Sequence, residues 1–364
     1  MLTRRAFAGG SLAGLGALGL AGCAPGTAAY DAALADMTRP LDEAPDLAEL
    51  VRYATLAANG HNTQPWIFVA RDGGADIRPD FSRRTSAVDP DDHHLFASLG
   101  CAAENLGLAA RARRMSGITR FEAAGAGSVH VELAPGARDE RQLFAAIPAR
   151  QCSRAVYDGK SASSEVIGRL EAAARIHGVE PVFVTEPNAV EDVLALVIEG
   201  NSRQIDDPAF VAELKEWIRF NANAAALARD GLYGASSGNP TVPTWLGAVL
   251  FDLLFSKADE NDKYAEQIRS SAGLVVLFAG SDDKEGWVAA GRACQRFALQ
   301  ATVDGLQHAF VNQAVEVPEL RRELQALLGL GERRANLVLR FGAGPTMPRS
   351  LRREPAEVIL AADA

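Results

Sequence analysis

Two helical patterns in this chain carry the same face. Gly100, Ala102, Leu106, Leu108 and Ala110 in the first align with Gly291, Ala293, Phe297, Leu299 and Ala301 in the second, every pair at an offset of 191 residues. Small residues let a neighbouring helix approach closely, and the apolar positions give that contact something to bury. A chain that repeats such a helix is constrained toward two related lobes, as if a dimer had been fused.

The chemistry-bearing residues concentrate in Asn59-Gly60-His61-Asn62-Thr63-Gln64-Pro65-Trp66. This stretch follows a helical pattern at 47–58 and precedes a strand pattern at 66–71. Its amides and hydroxyl offer donors and acceptors together, which suits a flat heterocycle with mixed hydrogen-bonding edges. Gly60 lets the backbone approach a ligand, and Pro65 sits where no ladder N–H is needed. An ordinary polar helix-to-strand loop is the competing reading. A second candidate is Arg150-Gln151-Cys152-Ser153-Arg154, where two arginines four apart suit an anion.

The Asn59–Trp66 stretch resembles the P-S-x-x-N-x-Q-P-W signature of the nitroreductase superfamily of flavoproteins, with Asn62, Gln64, Pro65 and Trp66 matching in type and Asn59 and Gly60 replacing two small hydroxyl residues. The arginine element resembles that family's R-x-[ST]-x-R phosphate motif through Arg150 and Arg154. Cys152 stands at the hydroxyl position, and Ser153 lies one place late. The resemblance is closest to the two-lobed, Acg-type branch. It implies an α+β, nitroreductase-like fold with mixed sheets flanked by helices and flavin mononucleotide (FMN) between the lobes. It also implies FMN contacts from Asn59, Gly60, Asn62, Thr63 and Gln64, from Arg150, Cys152, Ser153 and Arg154, from Asn312 and Gln313 after the second long helix, and from Arg352 or Arg353 near the C-terminus. The activity implied is FMN-dependent hydride transfer to or from a small organic substrate. No acid–base or nucleophilic residue is assigned. The alternative is a lidded flavin-binding or flavin-sequestering protein without turnover, with residues 235–240 as a candidate lid. A solute-binding lipoprotein would share the size and address, but would not need both arginine elements and the loop.

Residues 1–23 read as an address. Arg4 and Arg5 form a twin-arginine pair, a short glycine-rich apolar run follows, and Leu20-Ala21-Gly22-Cys23 resembles a lipobox. The expectation is twin-arginine export, a lipid at Cys23, and residence in the periplasm or at the cell surface. Gly14-Leu15-Gly16-Ala17-Leu18-Gly19 fits a dinucleotide pattern in letters only, since no strand precedes it. Residues 24–45 read as a tether, 46–145 as the first lobe and 146–364 as the second. An internal dimer would leave the chain monomeric.

The 364 residues carry 37 Lys and Arg against 46 Asp and Glu, a net charge of −9, and loss of Arg4 and Arg5 with the signal would deepen it. That balance argues against nucleic acid as a partner. Beyond Cys23, three widely spaced cysteines show no zinc or redox spacing and leave one disulfide open. His93 and His94 lie beside aspartates, but adjacent helical histidines point apart and no third ligand stands at i+4. A solvated helix start without metal is therefore expected there. Further strands are expected at 75–79, 128–133, 181–185, 274–279 and 337–341.

Overall fold

The computed structural model describes residues 25–360 except Arg138, Glu140 and His177. Two helices come first, α1 (Pro25–Thr38) and α2 (Leu47–Thr55). A hairpin of β1 (Trp66–Arg71) and β2 (Gly74–Pro79) leads to the long α3 (His93–Ala112), then β3 (Thr119–Glu122), β4 (Ser128–Glu132) and the short α4 (Arg141–Ala146). After α5 (Ser164–Ala174) and β5 (Glu180–Val184) the chain runs through a mainly helical stretch. This contains α6 (Pro187–Asp206), α7 (Pro208–Glu216), β6 (Ile218–Arg219), α8 (Ala222–Ala228), β7 (Leu232–Tyr233), α9 (Thr244–Leu254) and α10 (Lys257–Arg269). Then follow β8 (Gly273–Phe278), α11 (Lys284–Val303), β9 (Gln307–Phe310), α12 (Gln313–Glu316), α13 (Pro318–Leu327), β10 (Ala335–Gly342), α14 (Pro355–Val358) and β11 (Ile359–Leu360).

The fold is α+β, with mixed sheets flanked by helices. One sheet has the order β11-β1-β2-β4-β3, and another β5-β8-β10-β9. Neighbours pair antiparallel except at one edge of each: β11 runs parallel to β1, and a lone parallel bridge joins Cys152 to His308 on β9. The expected strands at 66–71, 75–79, 128–133, 181–185, 274–279 and 337–341 are all present within two residues. β8 and β10 are buried along their whole length, which is why they read as apolar runs rather than alternations.

α3 and α11 pack against each other through their glycines. A Cβ on Gly100 would overlap the Val288 carbonyl oxygen, and one on Gly291 would overlap that of Ala97. The two contacts are reciprocal and keep the 191-residue offset. Polar bonds also cross this seam. Glu104 accepts from Arg292 Nε at 3.0 Å and Arg296 Nη1 at 2.9 Å, and Gln295 Nε2 donates to Asn105 Oδ1 at 2.8 Å. Burial alone would raise the Glu104 pKa, but Arg292, Arg296 and Arg111 hold it below the usual value.

Two expectations are corrected. Residues 25–45 are no tether. Tyr30, Leu34, Met37 and Leu41 form a stripe at helical spacing that packs into the core, and the segment is bound by Arg52, which donates to the carbonyls of Met37, Arg39 and Pro40. The small, turn-prone residues at its start hid that stripe. The start of α3 is not solvated either: His93 and Asp89 are buried, and the Asp89 carboxylate accepts from His94 N and Leu95 N, both at 2.9 Å. On the open question of a disulfide, Cys101, Cys152 and Cys294 are all free thiols. The address at residues 1–23 lies outside the described residues.

Candidate functional site

The loop between α2 and β1 is held in a costly conformation. His61, Asn62 and Gln64 all have positive φ, at 45°, 54° and 55°. Such backbone persists in non-glycine residues only where the surroundings fix it. Asn59 Oδ1 accepts from Gln64 N at 2.8 Å inside the loop. Asn62 Nδ2 donates to Gly231 O at 2.8 Å and Leu351 O at 2.9 Å. Gln64 Nε2 donates to Arg229 O at 2.9 Å, and its Oε1 accepts from Arg353 N at 2.8 Å. Arg83 Nε donates to Thr63 O. The loop is thus bolted to residues 229–231 and 351–353. Asn62 Oδ1 and His61 Nδ1 are buried without a protein partner. Burial, helped by Arg154, pushes His61 down to about 4.

Beside this loop lies a pocket of about 100 Å³ that gathers Arg150, Arg154, Arg349 and Arg352, with Asn59, His61, Asn62 and Cys152. Among the described residues no carboxylate lines it. Three of the arginines are held by backbone oxygens. Arg150 Nη2 donates to Leu56 O at 2.8 Å, Arg352 Nε to Thr55 O at 2.7 Å, and Arg349 to the carbonyls of Pro148 and Ala149. The first two acceptors end α2, where the helix dipole favours cations. Arg150 Nε has no partner. Burial and the neighbouring charge of Arg150 lower Arg352 to about 9 and Arg349 to about 10. Among the described residues no hydrogen bond or ion pair is recorded for the Arg154 guanidinium. Uncompensated cations packed this closely call for an anion.

Arg154, Asn59 and His61 also line a larger chamber of about 420 Å³. Its walls are mainly apolar, with Phe210, Phe220, Phe251 and Phe310 among them, and Gly60, Asn312 and Gln313 also face it. Asn312 Oδ1 accepts from Val338 N at 2.8 Å, while Gln313 Oε1 is buried without a partner. An arginine-lined recess opening into a mostly apolar chamber, with a few convergent polar atoms, suits a ring that carries a phosphate.

Of the expected site residues, Asn59, Gly60, Asn62, Arg150, Cys152, Arg154, Asn312, Gln313 and Arg352 line one or both spaces. Thr63, Gln64, Ser153 and Arg353 line neither. Ser153 Oγ donates to Pro345 O at 2.9 Å, so it does not replace the hydroxyl that Cys152 lacks. Arg353 is a lock on Gln64, and Arg352 is the pocket residue. Sequence reading passed over Arg349, three places before Arg352 in the same segment, and His61, which stood unused inside the motif. His94, expected at a solvated helix start, is instead a chamber residue whose Nδ1 lies 3.7 Å from Asp89 and 4.0 Å from Glu316. Donor atoms of Asp89, His93 and His94 lie within 4.8 Å of one another, but the Asp89 oxygens already cap α3.

No protein-family profile matches the chain. Two Mycobacterium tuberculosis proteins, from strains CDC 1551 / Oshkosh and ATCC 25618 / H37Rv, are each 25% identical to it over 343 residues, 89% of this chain and 94% of theirs; both carry the provisional name NAD(P)H nitroreductase. Among solved structures, the FMN-dependent nitroreductase NfnB from Mycobacterium smegmatis in complex with NADPH covers 60% of this chain and 96% of its own at 13% identity and a TM-score of 0.38. A nitroreductase with bound FMN from Desulfitobacterium hafniense DCB-2 covers 62% and 100% at 12% identity, also with a TM-score of 0.38. Superpositions at that level carry no residue correspondence. The sequence alignment, by contrast, runs nearly the full length of both partners, and it is to these two nitroreductase-named proteins that this chain is similar.

Proposed function

We propose that this chain is an FMN-dependent oxidoreductase acting on a small organic substrate. The observation that carries the reading is the cluster of Arg150, Arg154, Arg349 and Arg352 without a carboxylate, opening directly into an apolar chamber. These four arginines would hold the phosphate. Asn62 Oδ1 and Gln313 Oε1, buried acceptors without protein partners, are available to N–H groups of the ring. Bound FMN would supply the hydride chemistry. The protein would position the ring by hydrogen bonds and exclude water with the Phe-rich wall.

The same reading takes the chain as two related lobes. The matching strand orders β1-β2-β4-β3 and β5-β8-β10-β9, and the reciprocal Gly100 and Gly291 contacts, support it. The site then draws on both lobes, with the 59–64 loop from one and Arg150, Arg154 and Arg352 from the other.

Residues 1–23 support export by the twin-arginine route and lipidation at Cys23. That location separates the site from cytoplasmic nicotinamides, although the mycobacterial relatives are named for NAD(P)H. The donor proposed here is a membrane quinol or a periplasmic redox protein, or the flavin passes hydride between two small organic substrates. Anaerobic reduction with NADH, NADPH and a soluble quinol, followed by bleaching of the flavin band, tests it. Fast bleaching by a nicotinamide at micromolar concentration, with none by quinol, would sink the donor assignment while leaving the flavin site intact.

A further inference from the structure

α9 is apolar on nearly every side. Its inner face, with Gly247, Leu250 and Phe251, walls the large chamber, and Gly247 sits so close to Phe220 that a Cβ would overlap its ring. Its outer face is bare. Trp245 is 71% exposed and Leu253 73%, with Val249 also exposed, and Leu227 on α8 is 79% exposed. Soluble monomers rarely display a contiguous apolar patch without using it. The one acid on this face, Asp252, is paired with Lys215 Nζ at 2.6 Å.

The route of the chain indicates what covers this face. Cys23 stands two residues before Pro25, where α1 begins. α1 packs on α8, with Tyr30 against Tyr233 at 5.1 Å and Ala225 in the same apolar cluster. Asn221, the N-cap of α8, donates to Val242 O at 3.0 Å and to Thr244 Oγ1, the first residue of α9, at 3.2 Å. α1, which begins two residues after Cys23, α8 and α9 are therefore joined by a short series of direct contacts. α9 has 11 residues, about 16 Å of helix, too short to cross a bilayer. No helix among the described residues is long and apolar enough to do so. A short apolar helix with Trp at its start suits the lipid interface instead.

We infer that the outer face of α9 rests in the headgroup layer of the membrane to which Cys23 is tethered. This places one wall of the chamber against lipid, so an apolar redox partner dissolved there reaches the site past α9. The inference rests on the lipid-anchor reading above. The lipidated chain, without Arg4 and Arg5, is more acidic than the −9 of the whole sequence, so the contact is apolar rather than electrostatic, zwitterionic lipid suffices and salt does not release it.

The test uses the mature lipidated chain, beginning at Cys23, reconstituted on phosphatidylcholine vesicles with brominated acyl chains, which quench nearby indoles. The chain has four tryptophans: Trp66, Trp217, Trp245 and Trp287. The expected result is quenching of the wild-type emission that is largely lost in Trp245→Phe and reduced in Val249→Ser/Leu253→Ser, and that persists in 0.5 M salt (on the order of a threefold shorter Debye length than at low salt). Equal fractional quenching in wild type and Trp245→Phe overturns the inference. So does an unquenched Trp245 together with concentration-dependent self-association that Val249→Ser/Leu253→Ser abolishes, which would assign the face to a second copy. Flavin content read in the same samples separates the two proposals. Quenched Trp245 without flavin keeps the membrane contact and removes the oxidoreductase reading; bound flavin with unquenched Trp245 does the reverse.

Discussion

Arg150 and Arg352 bind adjacent carbonyls at the same helix end. Arg150 Nη2 donates to Leu56 O at 2.8 Å and Arg352 Nε to Thr55 O at 2.7 Å. The carbonyls that finish α2 thus position two cations side by side, and no acid among the described residues lines the pocket to neutralise them. Arg150 and Arg352 therefore have structural as well as binding duties, whereas Arg154 is free to serve a ligand alone.

Replacing Arg154 with Ala should accordingly weaken FMN binding by about 1.5–3 kcal/mol, the scale of a hydrogen bond to a charged group, with little change in stability. Arg150→Ala should weaken binding by a similar amount and also destabilise the fold, because Leu56 O loses its donor. Flavin titration and urea unfolding of both variants separate these effects. Unchanged affinity in both would remove the pair from the site.

His61 makes stability depend on pH. Its folded pKa is about 4 against an ordinary 6.5. Between those values the unfolded chain takes up a proton that the folded chain does not, so stability falls as the pH drops through that window. Each unit costs at most about 1.4 kcal/mol from this residue. His61→Asn tolerates the positive φ and should show a shallower loss between pH 6.5 and 4.5. Parallel urea midpoints for the two proteins would argue against a buried neutral imidazole.

The seam between α3 and α11 has no room for a methyl group at Gly291. Gly291→Ala should destabilise the protein by about 1–3 kcal/mol, the usual range for overpacking, despite the better helix propensity of alanine. A thermal midpoint at or above that of the wild type would contradict the close approach.

What was legible in the sequence was local. Trp66–Arg71 and the Asp72-Gly73 turn are a continuous strand-and-hairpin signal, and the structure follows it. Arg150 and Arg154 stood four apart and face one pocket. Gln64 matched a motif and Arg353 a position near the C-terminus, and the two hold each other, because residue type and position do not give the direction a side chain takes. Arg349 and His94 reach the site from distant parts of the chain, and no spacing announces that. Residues 244–254 gave no helical period, since a helix that is apolar all round has none. The stripe from Tyr30 to Leu41 was masked by alanines and by the turn-like start of its segment.

The address makes its own forecast. Lysine at both Arg4 and Arg5 should stop export. Cys23→Ala should move the protein from the carbonate-resistant membrane fraction to the carbonate-released or soluble fraction, since α9 alone gives only a peripheral contact. Retention of Cys23→Ala through a carbonate wash would mean that residues 6–21 act as an anchor.

The most direct test is the visible spectrum of the full-length protein purified without added flavin. The arginine pocket and its chamber predict a yellow protein with a flavin absorption band and close to one FMN per chain, released on denaturation, and a band that diminishes in Arg154→Ala. A colourless, folded protein that also takes up no FMN on titration would contradict the flavin site.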